Sequence, residues 1–435
     1  MYYDKALISP MESLFIHGGR PLAGSVAVSG SKNAALPAIA AALLTDEPCI
    51  IRNVPDIQDV RTMLDIVSDL GAEVSFAKNT VRICARGISS KFANGKTVIL
   101  PEDGVCKLRA SILLWGPLLA RFGRVKSAYP GGCILGKRSI DTHVQALEML
   151  GAKFSTASSS SVSFSAKKLT GRKFTLKEFS VTGTENAVMA AVLATGKTKI
   201  RLSATEPHVV DLCRMLGRMG AKISGLGTHV LVISGVKKLK GATHTVISDY
   251  LEAGTLTLAA VLTRGRVTIR NIVPEDLEIF WNLLREIGAD FTLTDTAISI
   301  RPVKKFRALS RLQTAIHPGF PTDLQAPFAV LLTQCVGTTL VHETLFEDRF
   351  RYLPELKKMG ARFEVLNPHQ VMIHGQTKLR GTTVKSCDLR AGAAMVLAGL
   401  VASGTTRVTE VNYIDRGYER FEEKLLHLGA KISRK

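Results

Sequence analysis

The most unusual short string in the chain is Tyr129-Pro130-Gly131-Gly132-Cys133-Ile134-Leu135-Gly136-Lys137-Arg138. It sets one thiol among glycines, which let the backbone wrap a ligand, and beside two cations, which lower a thiol's pKa and raise its reactivity. A free cysteine is more often a small buried apolar residue, and that reading is assigned to Cys49, Cys84, Cys106, Cys213, Cys335 and Cys387. The seven cysteines are odd in number and lack CxxC spacing, which argues against a disulfide framework and against a zinc site. Reduced thiols are expected. Gly30-Ser31-Lys32-Asn33-Ala34 precedes a helical pattern and puts a lysine and helix-start amides where an anion could bind. By spacing alone, a surface lysine beside a helix cap is the simpler reading.

Two further strings share one register, each just before a small-residue helix: Thr322-Asp323-Leu324-Gln325-Ala326 and Cys387-Asp388-Leu389-Arg390-Ala391. An aspartate there reads first as a helix cap that accepts a backbone N–H bond. Arg349, in Phe346-Glu347-Asp348-Arg349-Phe350, and Arg416, in Ile414-Asp415-Arg416-Gly417-Tyr418, could grip a carboxylate or phosphate bidentately. Each has an aspartate next to it, so a structural ion pair competes. The histidines lack metal spacing, and His208 and His317, beside prolines in expected loops, are given no ligand role.

The elements that must position these residues repeat. An apolar residue, Gly-Ala, any residue and another apolar residue recur six times, at Gly71, Gly151, Gly220, Gly288, Gly360 and Gly429, with separations of 80, 69, 68, 72 and 69. Each phrase closes a helix, seen best where Val60, Met63, Leu64, Val67 and Leu70 share one face before Gly71 takes a left-handed position. Upstream in each unit lies a small-residue helix and a β-rich run, as in 33–44 with 49–54 and 185–194 with 198–202. Downstream come two short strands, as in 73–76 and 81–84. The sixth unit ends at Lys435, too early for its last strand, and Phe15-Ile16-His17-Gly18 resembles Met372-Ile373-His374-Gly375. The N-terminal strand is therefore expected to complete the last unit. This predicts a discontinuous domain of residues 1–31 plus 248–435 and an inserted domain of residues 32–247 carrying the Cys133 loop, with a cleft between them closing on a ligand.

Bulk properties bound the rest. A 435-residue chain with 46% hydrophobic and 22% charged residues suits two or three globular domains. Its longest apolar runs, 34–44 and 393–401, fall short of the roughly 18 residues of a membrane span. Asp4, Lys5 and Glu12 interrupt the N-terminus where a secretory signal would be apolar, so a cytoplasmic location is expected and no membrane partner. The net charge of +20 is diffuse, and aromatics are only 6%, which leaves few stacking platforms for a nucleic acid. No nucleic-acid partner is expected, and a monomer is plausible.

Together the strings resemble the UDP-N-acetylglucosamine enolpyruvyl transferase family from about Leu14 to the C-terminus. Ser31-Lys32-Asn33-Ala34-Ala35-Leu36-Pro37, the Pro-Gly-Gly-Cys loop, Phe320-Pro321-Thr322-Asp323 and Ile414-Asp415-Arg416-Gly417-Tyr418-Glu419-Arg420 fall in the family's order. The resemblance implies an α/β fold, a two-domain inside-out α/β barrel of six βαβαββ repeats, three per domain. It implies transfer of the enolpyruvyl group of phosphoenolpyruvate to the 3-hydroxyl of UDP-N-acetylglucosamine, the first committed step of peptidoglycan synthesis, with no cofactor and no metal.

By the same resemblance Cys133 is the proton donor to the phosphoenolpyruvate methylene, the thiol that can add to that substrate covalently and the one that attacks the epoxide of fosfomycin, and Asp323 is the base for the sugar hydroxyl, which overturns its capping role. Lys32, Arg138 and Arg416 would hold phosphate and carboxylate. The nucleotide sugar is assigned to Asn33, Arg109, Arg138, Ser139, Ile140, Asp141, Thr142, Glu178, Phe179, Ser180, Val181, Asp323 and Leu345. Arg349, Asp388 and Arg390 are counted with the substrate-binding set. This chain departs from the family at Glu178, where many members carry lysine, at Ser139, where proline is common, and at Thr182-Gly183-Thr184-Glu185-Asn186, where Val-Gly-Ala is usual. The sister enzyme acting on shikimate 3-phosphate shares the fold but lacks the cysteine loop, and a basic RNA-binding repeat protein would need neither Cys133 nor Asp323.

Overall fold

All six phrase glycines end a helix in the left-handed region, with φ from +91° to +110°, in the computed structural model of the protein, which describes residues 12–92, 95–131, 139–158 and 160–435. A side chain with a Cβ is strained there, so glycine marks each repeat boundary. Every repeat builds one four-stranded sheet, and the described residues form six such sheets. In one, Arg311–Gln313 runs parallel to Gly337–His342, which pairs antiparallel with Gln370–Gly375, which in turn pairs with Arg362–Asn367. The parallel pair needs a crossover, and helix Gln325–Gln334 supplies it. The order is β-α-β-α-β-β.

The two helices of a repeat differ in kind. Gln58–Asp69 buries one stripe, including Val60, Met63, Leu64 and Val67. The first helices of the repeats, such as Tyr250–Leu262 and Leu389–Val401, are buried almost all round, which is why they are built of small and apolar residues. In the unit holding Tyr250–Lys435, helices Tyr250–Leu262, Gln325–Gln334 and Leu389–Val401 pack on one another. Strands alternate buried and open positions, so each sheet lays one face on the helical centre.

Two compact units result. One joins the described residues up to Val28 with Tyr250–Lys435, the other is Ser29–Asp249, and each has its own hydrophobic core. The chain crosses three residues earlier at the first boundary and two later at the second than the expected 31/32 and 247/248. The reason is local pairing: Gly30 bridges Ser248, the Ser31 N–H donates to the Ile247 carbonyl at 2.8 Å, and the Asp249 N–H donates to the Ser29 carbonyl at 2.9 Å. These bonds draw both crossing segments into the second unit.

The N-terminal strand Leu14–His17 lies between Thr405–Thr409 and Lys431–Arg434, antiparallel to both, and so completes the sixth sheet. Two other strands are borrowed in the same way. Ala23–Ala27 runs parallel to Arg266–Arg270, and Thr243–Thr245 runs parallel to Cys49–Arg52. Smaller corrections have simple causes. Helix Val181–Ala191 starts four residues before 185 because Ser180 caps it, accepting from the Gly183 N–H. His208 is the second residue of helix Pro207–Arg218, not a loop residue, since Pro207 suits a first helical position. Cys49, Cys84, Cys213 and Cys335 are buried, but Cys387 is half-buried and Cys106 is exposed, on a short helix that buries Val105 instead.

Leu14 and Ile16 are fully buried by the N-terminal strand. Ile16→Ala should therefore cost about 2–5 kcal/mol, read from the shift of the urea unfolding midpoint, while truncating the more open Phe15 should cost less.

Candidate functional site

In the unit Ser29–Asp249, Lys32 is the first residue of helix Lys32–Ala41. Its N–H donates to Asp249 Oδ2 at 3.3 Å, and its Nζ lies 2.6 Å from Asp59 Oδ2, with only 13% and 6% of the two side chains exposed. Asn33 follows, half-buried, at the second helical position. Arg109 opens the 3-10 turn Arg109–Leu114, and its guanidinium donates to the Pro130 carbonyl at 3.1 Å and to the Ser139 carbonyl at 3.2 Å. It therefore ties the two stems of the cysteine loop. Gly131 sits where a Cβ would meet the Cys106 carbonyl oxygen at 1.9 Å, so only glycine fits that stem. Cys133, Lys137 and Arg138 lie outside the described residues.

Beyond the loop, the Ser139 hydroxyl accepts from the Asp141 N–H at 2.9 Å and starts helix Asp141–Met149, with Ile140 buried beneath. The Thr142 hydroxyl donates to Glu178 Oε1 at 2.9 Å, and His143 Nε2 pairs with the Thr182 hydroxyl at 2.9 Å. These two bonds bring 139–142 and 178–182 together. Phe179 is exposed and meets His229 edge-on at 5.0 Å between ring centroids, while Val181 begins its helix. Burial, helped by the charge of Arg109, pushes the His143 imidazole down to about 3. Burial and the facing Glu206 push the Glu185 carboxyl well up.

In the other unit, Asp323 lies in the turn Thr322–Leu324 ahead of helix Gln325–Gln334, and Leu324 occupies the N-cap position. Its carboxylate accepts from Arg349 Nη2 through one oxygen and from Arg390 Nε, at 3.1 Å, through the other. Both guanidiniums are only 4% exposed, so two positive charges fix the direction of one carboxylate. The Arg349 Nε also donates to the Thr322 carbonyl at 3.3 Å. Asp388 does cap: one oxygen accepts from the Arg390 and Ala391 N–H groups at 2.7 and 2.9 Å. The aspartates next to Arg349 and Arg416 are gripped by arginines further along the chain. Asp348 pairs with Arg351, and Asp415 is held bidentately by Arg434 at 2.8 and 2.7 Å. Arg416 ends the short helix Asn412–Asp415, half-buried, and its charge acts on Tyr413.

Sequence reasoning missed three contributors. Glu343 is fully buried and accepts from the Thr314 and Thr322 hydroxyls and from the Leu345 N–H at 2.8–2.9 Å, so it sets both the Asp323 turn and Leu345. Asp59 resembles an ordinary first-turn acid. His143 was one scattered histidine among ten. Among the described residues, no group of three or more His, Cys, Asp or Glu side chains could hold a metal ion, and no helix is long and apolar enough to cross a membrane.

A family model described as EPSP synthase (3-phosphoshikimate 1-carboxyvinyltransferase) matches residues 16–425. A UDP-N-acetylglucosamine 1-carboxyvinyltransferase of Methylacidiphilum infernorum is 44% identical over 427 residues, covering 98% of this chain and 99% of its own. A second, from Carboxydothermus hydrogenoformans, is 45% identical over 426 residues with the same coverage. Among solved structures, the enolpyruvyl transferase NikO from Streptomyces tendae matches with a TM-score of 0.87 at 25% identity, covering 98% of this chain and 99% of that one. EPSP synthase from Acinetobacter baumannii gives 0.76 at 19% identity, covering 98% and 100%, a likeness of fold alone. Fold and matches define an enzyme of the enolpyruvyl (carboxyvinyl) transferase class. Within that class, the chain belongs to the UDP-N-acetylglucosamine 1-carboxyvinyltransferase family.

The His143 shift has a stability consequence with a definite sign. The folded value, about 3, is below the ordinary 6.5, so between these values the unfolded chain binds the extra proton. Stability should fall as pH drops through this window, by up to about 1.4 kcal/mol per pH unit from this residue. Thermal unfolding of His143→Gln across pH 6.5 to 4 should show a shallower loss than the parent; equal slopes would refute the assignment.

Proposed function

We propose that this chain transfers the enolpyruvyl group of phosphoenolpyruvate to the 3-hydroxyl of UDP-N-acetylglucosamine, with release of phosphate, in peptidoglycan synthesis. The observation that carries the reading is the Asp323 carboxylate aimed by two buried arginines, in a chain 44–45% identical to two proteins named for that activity. A carboxylate oxygen has more than one lone pair, so Asp323 can accept from Arg349 and Arg390 and still take the proton of a sugar hydroxyl. That hydroxyl oxygen adds to C2 of phosphoenolpyruvate while the Cys133 thiol gives its proton to the methylene carbon. Loss of phosphate, with loss of a proton from the new methyl group, restores the double bond on the product ether.

The cations match this charge traffic. Lys32, Arg138 and Arg416 hold the phosphate and carboxylate, and the amides and hydroxyls of 139–142 and 178–181 receive the nucleotide, with Arg109 fixing the loop stem beside them. The chemistry runs without a cofactor, and the enzyme works in the cytoplasm.

The test is phosphate release from phosphoenolpyruvate that depends on UDP-N-acetylglucosamine and is not supported by shikimate 3-phosphate. Asp323→Asn and Cys133→Ser should each lower kcat by about 10²–10⁴-fold, and fosfomycin should inactivate the parent but not the Cys133→Ser protein. Activity with shikimate 3-phosphate alone, or salt-sensitive retention on nucleic acid without either transferase activity, would overturn the proposal.

A further inference from the structure

We propose that Asp59 is the positioning residue for Lys32, holding its ammonium group in the direction from which it grips an anionic substrate. The inference rests on the reading of Lys32 as a ligand of the phosphoenolpyruvate phosphate or carboxylate. Its own support is geometric. Asp59 Oδ2 is 2.6 Å from Lys32 Nζ, and both side chains are largely out of solvent, so the pair is little screened. A lysine ammonium is a compact charge on a flexible four-carbon stem, and left alone it spreads over many rotamers. It also has three donor hydrogens, so one bond to Asp59 leaves others to point at a ligand.

A solvated first-turn acid, the ordinary role for an aspartate at the second position of a helix, would face water. Asp59 is only 4% exposed. The helix that carries it, Gln58–Asp69, is pinned by the buried stripe of Val60, Met63 and Val67, so the carboxylate is presented from a rigid element. The other end of Lys32 is fixed as well, because its main-chain N–H donates to Asp249. Backbone and ammonium are thus each matched by a carboxylate from a different part of the unit. An ion pair serving the fold alone is a weak source of stability when buried, whereas orientation of a reactive cation is a use that burial improves.

The experiment compares Asp59→Asn, Asp59→Glu, Lys32→Met and the Asp59→Asn/Lys32→Met double variant in the phosphate-release assay, varying each substrate in turn. Asp59→Asn should raise the KM for phosphoenolpyruvate about ten- to a hundredfold, the scale of a charge-assisted hydrogen bond, and change that for UDP-N-acetylglucosamine less than about threefold. Asp59→Glu should restore part of the loss, and should do so even if Asp59→Asn folds poorly. The double variant should be no worse than Lys32→Met, because the two residues act as one. Losses that multiply in the double variant, or a KM for both substrates raised alike together with a lowered thermal midpoint, would overturn the positioning role. If Lys32→Met leaves phosphoenolpyruvate binding unchanged, the fault lies in the reading of Lys32 itself, and the role of Asp59 falls with it.

Discussion

A parallel strand pair cannot be closed by a tight turn, and that constraint organises this protein. In four of the six sheets the short parallel strand travels through a helix before it meets its partner, and in the other two Ala23–Ala27 and Thr243–Thr245 come from elsewhere in the chain to fill the same place, so the first helix of each repeat is buried within its unit. The candidate residues collect at the junctions where those helices begin. Lys32 starts one of these buried helices, 178–181 lead into another, Asp323 stands just before a third, and Asp388 and Arg390 straddle the start of a fourth. Repetition makes the junctions equivalent in geometry, while the side chains at each are free to differ in chemistry. The helix beginnings also present backbone N–H groups, which favour anions before any lysine or arginine is added.

Buried charge is the second theme, and around the candidate residues it is matched. Asp323 meets two guanidiniums, Lys32 meets Asp59, and Glu343 meets two hydroxyls and an amide. Taking such groups out of water is costly, and their mutual attraction roughly offsets that cost, so their gain is in direction more than in stability. A reactive carboxylate or ammonium held in one orientation has no reorganisation left to do when substrate charge develops.

The repeat was legible in the sequence because its punctuation is steric: a helix ending in a left-handed residue calls for glycine, six times over. The displaced N-terminal strand was legible because the last repeat is short by one strand with a recognisable pattern. The opening strands of the repeats were not, since runs such as Lys173–Thr175 and Thr383–Lys385 are three residues long and too brief for an alternation to register. The ion pairs were hidden for a related reason. Adjacency left Asp348 with Arg349 and Asp415 with Arg416 open as structural pairs competing with a ligand role, but residues one apart on a helical turn do not face each other. The pairs that form join Asp323 to Arg390, 67 residues away, and Asp415 to Arg434, separations set by the tertiary fold and invisible to local reading.

The departures from the family pattern make sense only as a set. Proline, common where Ser139 stands, stiffens a turn by fixing φ. Ser139 recovers stiffness by another route, its hydroxyl taking the Asp141 N–H and its carbonyl taking Arg109. Glu178, where lysine is frequent, reverses a charge on an exposed segment, and Thr142 supplies the hydroxyl that anchors the new carboxylate. The His143 bond to Thr182, one residue beyond, then ties the same two segments a second time. This chain holds 139–143 and 178–182 together with hydrogen bonds between their side chains.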